Sequence, residues 1–154
     1  MLILLRFLPA WAVGFVLASL AHSHSVLWGL NDLGITITFG DWLFMIIQDA
    51  KGLLPTYGSV IAMALGLSFA LVHLFFYIQQ KHGITAIKRR ISGLLFPLAG
   101  GLAFFVMLMA MQPILDVTLI AGARTTTGFI TQCLSGAVAG WVYAKLQPTY
   151  HSNL

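Results

Sequence analysis

The sequence predicts an all-α integral membrane protein, a bundle of four transmembrane helices with a short interfacial helix between the first and second. Three observations predict it. Hydrophobic residues make up 59% of the 154 positions and charged residues only 8%, against roughly 25% charge in a soluble domain. Apolar runs of spanning length alternate with polar breaks. The charges sort by side once those runs are threaded through a bilayer. With a mean hydropathy of +0.93, such a chain cannot present a polar surface all round, and it is expected as a single membrane domain over 1–154.

The first span is expected over residues 2–21, an apolar run interrupted by Arg6. Its end, "ASLAHS", has the look of a signal-peptide cleavage site. Arg6 lies inside the apolar run rather than before it, so a retained helix is expected. The segment 22–55 follows. "GITITFG" alternates Ile35, Ile37 and Phe39 with threonines, which suits a short extended piece. In "GDWLFMIIQDAKG", Asp41 suits the cap of an interfacial helix over 42–51, and Gly52 suits its end. About ten residues are too few to cross ~30 Å of hydrocarbon, but they can lie at the interface or against the bundle.

The second span, 55–78, opens with "PTYG". Pro55 fits a first helical turn, and Tyr57 suits an aromatic belt. "QQKHGITAIKRR" is a break. The third span covers 91–111, "QPILD" turns the chain, and the fourth covers 126–144 before a polar tail. Lys81, Lys88, Arg89 and Arg90 lie between spans two and three, which makes that loop cytoplasmic by the positive-inside rule. Both termini are then cytoplasmic, with Arg6 and Lys145 on the same side. The acidic residues Asp32, Asp41, Asp49 and Asp116 all fall outside, and there is no glutamate. Lys51 and Arg124 are the exceptions to the pattern.

Small residues recur every four positions, on one side of each helix. Span one carries Ala10, Gly14 and Ala18, and span two Gly58, Ala62, Gly66 and Ala70. Span three carries Gly93 and Gly101 about Pro97. Span four carries Gly128, Gly136 and Gly140, with Gln132 on the same face. Such faces let backbones approach, which is how membrane helices associate. Gln132 is expected to hydrogen-bond across helices.

Arg124 is the residue that most invites a functional reading. It stands at the outer, N-terminal end of span four, where the helix dipole disfavours a cation. One reading pairs it structurally with Asp116, or with Asp41 or Asp49. Another has Arg124, Thr125, Thr126 and Thr127, with Asp116 and Asp41 nearby, forming a site for a lipid headgroup or small anion at the helix start. A third has Arg124 snorkelling to water.

His22 and His24 are weak metal candidates without a patterned third ligand, and no metal is expected. His73 lies inside span two, but spans three and four offer no second histidine for haem, and no cofactor is expected. Cys133 is the single cysteine, so no intrachain disulfide can form. No aspartate lies inside a span, which counts against a pump.

At "LLPTYGSVIA" and "IAGARTTTGF" the chain resembles a group of small proteobacterial inner-membrane proteins of unassigned function. The matching positions are Pro55, Thr56, Tyr57, Gly58 and Gly122, Ala123, Arg124, Thr125. The resemblance implies a bacterial inner membrane and supplies no activity. The leading functional expectation is a non-enzymatic accessory or assembly module. Its partners would be membrane lipid and either further copies of itself or another membrane protein, and not nucleic acid. The alternative is a lipid- or anion-binding protein, or a small transporter, with an outer-face site around Arg124. A membrane enzyme stands third, since no catalytic constellation is apparent.

Overall fold

The computed structural model describes residues 2–32, 38–81, 88–115 and 125–147. They are helical almost throughout: α1 (Leu2–Asp32), α2 (Phe39–Leu53), a π-helical turn (Leu54–Gly58), α3 (Ser59–Lys81), α4 (Lys88–Leu115) and α5 (Thr126–Leu146). Among the described residues three stretches are long and apolar enough to cross a membrane: Leu4–Leu27, Phe39–Lys81 and Gly93–Met111. α5, the predicted fourth span, is not among them, because Thr131, Gln132, Ser135 and its glycines dilute its apolar content.

The contacts fix the helix directions. Phe7 meets Phe69 edge-on and Trp11 reaches Gly58, so α1 and α3 are antiparallel. Gln132 reaches Ala18, while Gly14 sits against Ala139, so α5 is antiparallel to α1. Gly136 faces Gly100 and Gly140 faces Phe96, so α4 and α5 are also antiparallel. The ends of α1, α3, α4 and α5 that carry Arg6, Lys81, Lys88 and Lys145 therefore gather at one end of the bundle. Asp32, Asp41 and Asp49 belong to the other.

The surface is inverted relative to that of a soluble protein. Leu67, Leu71 and Leu74 on α3, Leu94, Leu98 and Leu102 on α4, and Ile130, Leu134 and Trp141 on α5 all point outward and are more than half exposed. Isolated exposed leucines are ordinary, but faces this continuous mark a surface meant for an apolar environment. The interior holds the aromatics: Phe69, Phe96 and Tyr143 are almost wholly buried. Phe69 stacks on Tyr143 at 4.4 Å between centroids, and Phe96 meets Tyr143 edge-on at 5.0 Å. Such pairs add roughly 0.5–1.5 kcal/mol each beyond the area they bury.

The region between the first two predicted spans departs from expectation. The helix assigned to 42–51 begins at Phe39, runs through Gly52, and continues without interruption into α3, giving one helical rod over Phe39–Lys81. Its start is a capping box. Thr38 Oγ1 accepts from the Asp41 amide at 3.3 Å, and Asp41 Oδ2 accepts from the Thr38 amide at 3.2 Å. Aspartate here does the work more often given to glutamate. Residue 54 is fully helical (φ −55, ψ −51), so Gly52 ends nothing.

Pro55 should interrupt such a rod, since it has no N–H to give to the preceding turn. The π-helical turn absorbs it. Carbonyls around the turn find other donors: Ser59 Oγ bonds Pro55 O at 2.8 Å and Thr56 O at 2.7 Å, and Trp11 Nε1 bonds Gly58 O at 2.8 Å. The 43 residues of the rod measure on the order of 60 Å, about twice the thickness of a bilayer's hydrocarbon. An extended piece over residues 34–40 is not seen where the chain is described: Thr38 is extended and caps the helix that starts at Phe39, and residues 33–37 lie outside the described set.

Candidate functional site

The interior polar groups are the candidates for function, because a polar group inside an apolar bundle is costly unless it is hydrogen-bonded. Gln132 is the centre of the largest group. It is 1% exposed and lies on the α5 face that also carries Gly128 and Gly136. Its Oε1 accepts from Tyr57 Oη at 3.0 Å, and its Nε2 donates to the Ala18 carbonyl at 2.9 Å. One side chain thus joins three helical segments: α5, the π turn and α1. Trp11 and Gly58 form a second tie between α1 and the turn, and Ser68 Oγ bonds Ala99 O at 2.7 Å to join α3 to α4.

Toward the basic end, His73 Nε2 lies 2.8 Å from Tyr143 Oη. Their rings meet edge-on, and Phe96 lies against both. His73 is thus built into an aromatic cluster, where its partner is a tyrosine of α5. Toward the acidic end, Ser23 Oγ donates to Asp49 Oδ2 at 2.9 Å, tying α1 to α2, and half-buried His22 lies within electrostatic reach of Asp49.

α4 and α5 approach most closely of all. A Cβ built on Gly100 would strike the Gly136 carbonyl, one on Gly136 would strike the Gly100 carbonyl and the Phe104 ring, and one on Gly140 would strike the Phe96 carbonyl. Only glycine leaves room for backbone to meet backbone there. From α4 it is Gly100, and not the expected Gly101, that makes this approach, and the remaining packing glycines expected from the sequence differ too. Gly14 stands 2.9 Å, at the Cβ position, from Ala139 Cβ, whereas Gly66 and Gly101 find only ordinary contacts at 3.5 Å or beyond.

The outer-face residues singled out in the sequence are only partly described. Arg124 and Asp116 lie outside the described residues. Thr125 is the N-cap of α5, its Oγ1 accepting from the Gly128 amide at 3.1 Å. Thr126 and Thr127 are exposed in the first turn, and Thr127 Oγ1 lies 3.4 Å from Thr125 Oγ1. Asp41 is exposed, its carboxylate engaged by Thr38. His24 is exposed and His22 half-buried. Among the described residues no group of three or more His, Cys, Asp or Glu side chains could hold a metal ion.

The Tyr57–Gln132 and His73–Tyr143 pairs are not legible in the sequence, because 75 and 70 residues separate the partners. Their one advance signal is a polar side chain inside an apolar run. Compared with known proteins, the chain matches no family model, no curated protein and no solved structure. Its own chemistry is therefore the guide to its function.

Proposed function

We propose that this chain is a non-enzymatic integral membrane protein, an accessory or assembly module of the bacterial inner membrane that works by packing helices. The observation that carries the reading is how the interior polar groups are spent. Gln132, Tyr57, Trp11 and Ser68 hold helix to helix, and the glycines of α4 and α5 bring backbones together. These are the means by which membrane helices associate.

In this reading α5 is a fourth span. Its polar residues Gln132 and Ser135 face inward, and Ile130, Leu134 and Trp141 face outward, so the lipid meets only its apolar side. The basic ends of the helices and the 82–87 connection are cytoplasmic, as are both termini. α2 then carries the α3 rod beyond the outer edge of the hydrocarbon.

Single cysteines at Lys81 and Asp41, in a Cys133→Ser background, test the topology. A membrane-impermeant thiol reagent applied to intact cells should label the cysteine at 41 and spare the one at 81. The reverse pattern overturns it. Co-purification at native abundance in gentle detergent tests the assembly role. A second copy or another membrane protein should be retained, and a strictly monomeric, partnerless chain overturns the role.

A further inference from the structure

α2 buries none of its residues. Asp49 faces α1 through Ser23, and Trp42, Met45, Ile46 and Leu53, on that side of the helix, are half-buried. The opposite side is apolar too, yet Phe39, Leu43, Phe44, Ile47 and Leu54 are between 46% and 77% exposed. Lipid does not reach all of it. With α3 in the bilayer, a rod on the order of 60 Å long carries α2 past ~30 Å of hydrocarbon.

The spacing on that side points to what covers it. Gly40, Leu43, Ile47, Ala50 and Leu54 follow one another at steps of three, four, three and four. This is the a and d spacing of a coiled-coil seam, and it confines the five to an arc of about 80°. Small and large residues alternate along it. No charge falls on it, since Asp41, Asp49 and Lys51 stand to either side.

We propose that α2 is a dimerisation helix, pairing in parallel and in register with α2 of a second copy through Gly40, Leu43, Ile47, Ala50 and Leu54. The inference rests on the membrane-assembly reading above and names its partner and surface. A closed dimer has a two-fold axis. Two copies threaded the same way through one bilayer have that axis along the membrane normal, so their rods run parallel and level.

The flanks agree with such a pair. In a parallel seam each g residue meets the partner's e residue five positions on. Phe39 then meets the partner's Phe44, which covers the two most exposed apolar side chains of α2. Ile46 meets the partner's Lys51, whose stem can lie on it while the ammonium stays in water. No like charges are opposed. At ~150–200 Å² for a large side chain, the five exposed ones offer on the order of 500 Å² a copy and about 1,000 Å² a pair, where specific interfaces begin.

Single cysteines in a Cys133→Ser background, oxidised in isolated native membranes, test it. Leu43→Cys and Ile47→Cys should each give a disulfide-linked product of twice 16.8 kDa. Gln48 is also exposed but stands about 100° round the helix from Ile47. Gln48→Cys should give about tenfold less product, because a disulfide needs Cα atoms within ~7 Å. Adding Leu43→Asp to Ile47→Cys sets two carboxylates together on the seam and should cut its product about tenfold. Gln48→Asp in the same background should leave it unchanged. If Leu43→Asp fails to fold, the comparison of cysteine positions still decides.

A product of another mass, or equal yields at 43, 47 and 48, overturns the proposal. The assembly reading fails differently, when the chain isolated at native abundance retains neither a second copy nor a partner. A retained second copy with no preference for 43 and 47 leaves that reading standing and removes this seam.

Discussion

Gly140→Ala tests the α4–α5 seam at its tightest point. The added methyl would fall 2.6 Å from the Phe96 carbonyl carbon and 2.9 Å from Pro97 Cα, where carbon atoms ordinarily rest 3.5–4.0 Å apart. All the obstructing atoms are backbone, so no side chain can swing aside. Relief needs α4 and α5 to part locally by about 1 Å, enough to forfeit a quarter to a half of the dispersion energy of each contact it opens. Overpacking of this kind costs roughly 1–3 kcal/mol. Alanine's better helix propensity returns up to about 1 kcal/mol. The net expectation is a loss of about 1–2 kcal/mol.

Denaturant unfolding in detergent micelles, followed by far-ultraviolet circular dichroism, measures it. The internal control is Gly52→Ala, where the same methyl meets nothing within 4 Å; it should be neutral or stabilising by up to about 1 kcal/mol. If Gly140→Ala proves as stable as Gly52→Ala, α4 does not lie on α5 as described.

Gln132→Leu takes the acceptor from the buried Tyr57 hydroxyl and the second donor from the Ala18 carbonyl, which keeps its helical bond, and should cost about 1–3 kcal/mol by the same unfolding assay. Adding Tyr57→Phe to it should cost less than the sum of the two single changes, since the hydroxyl's partner is already gone; strict additivity would refute the contact. Trp11→Phe can keep ring contact with Phe15 but strips the donor from Gly58 O. It should cost about 0.5–1.5 kcal/mol and speed amide exchange around the π turn more than in α5. Ser23→Ala and Asp49→Asn should likewise be non-additive, and independence of the two would show that α2 does not pack against α1 there.

Legibility in the sequence tracks locality. The apolar runs, the charge asymmetry and the four-residue spacing of small residues are all properties of neighbouring positions, and helices appear on each run. The junction at Pro55 is not legible in this way. Gly52 and Pro55 are ordinary punctuation, yet the helix runs through them by way of a π turn, against which Trp11, 47 residues away from Gly58, sets its indole N–H. The role of α5 is half legible. Its face of Gly128, Gln132 and Gly136 is a local pattern, whereas the partners of Gln132 come from α1 and the π turn.

The π turn has a further consequence for how this gene tolerates change. Leu53, Tyr57, Ile61, Leu65 and Phe69 face inward at steps of four, and a uniform α-helix would drift by about 40° at each such step. The wide turn takes up part of that drift, so it behaves as a phase adjuster between two helices that share one axis. Inserting a single codon within 50–53 would add about 100° of phase. The chain would remain helical and equally apolar, yet Asp49 and Tyr57 could no longer both face the partners they now hold on α1 and α5. Added length between them is thus opposed by packing although the segment has the composition of a loop.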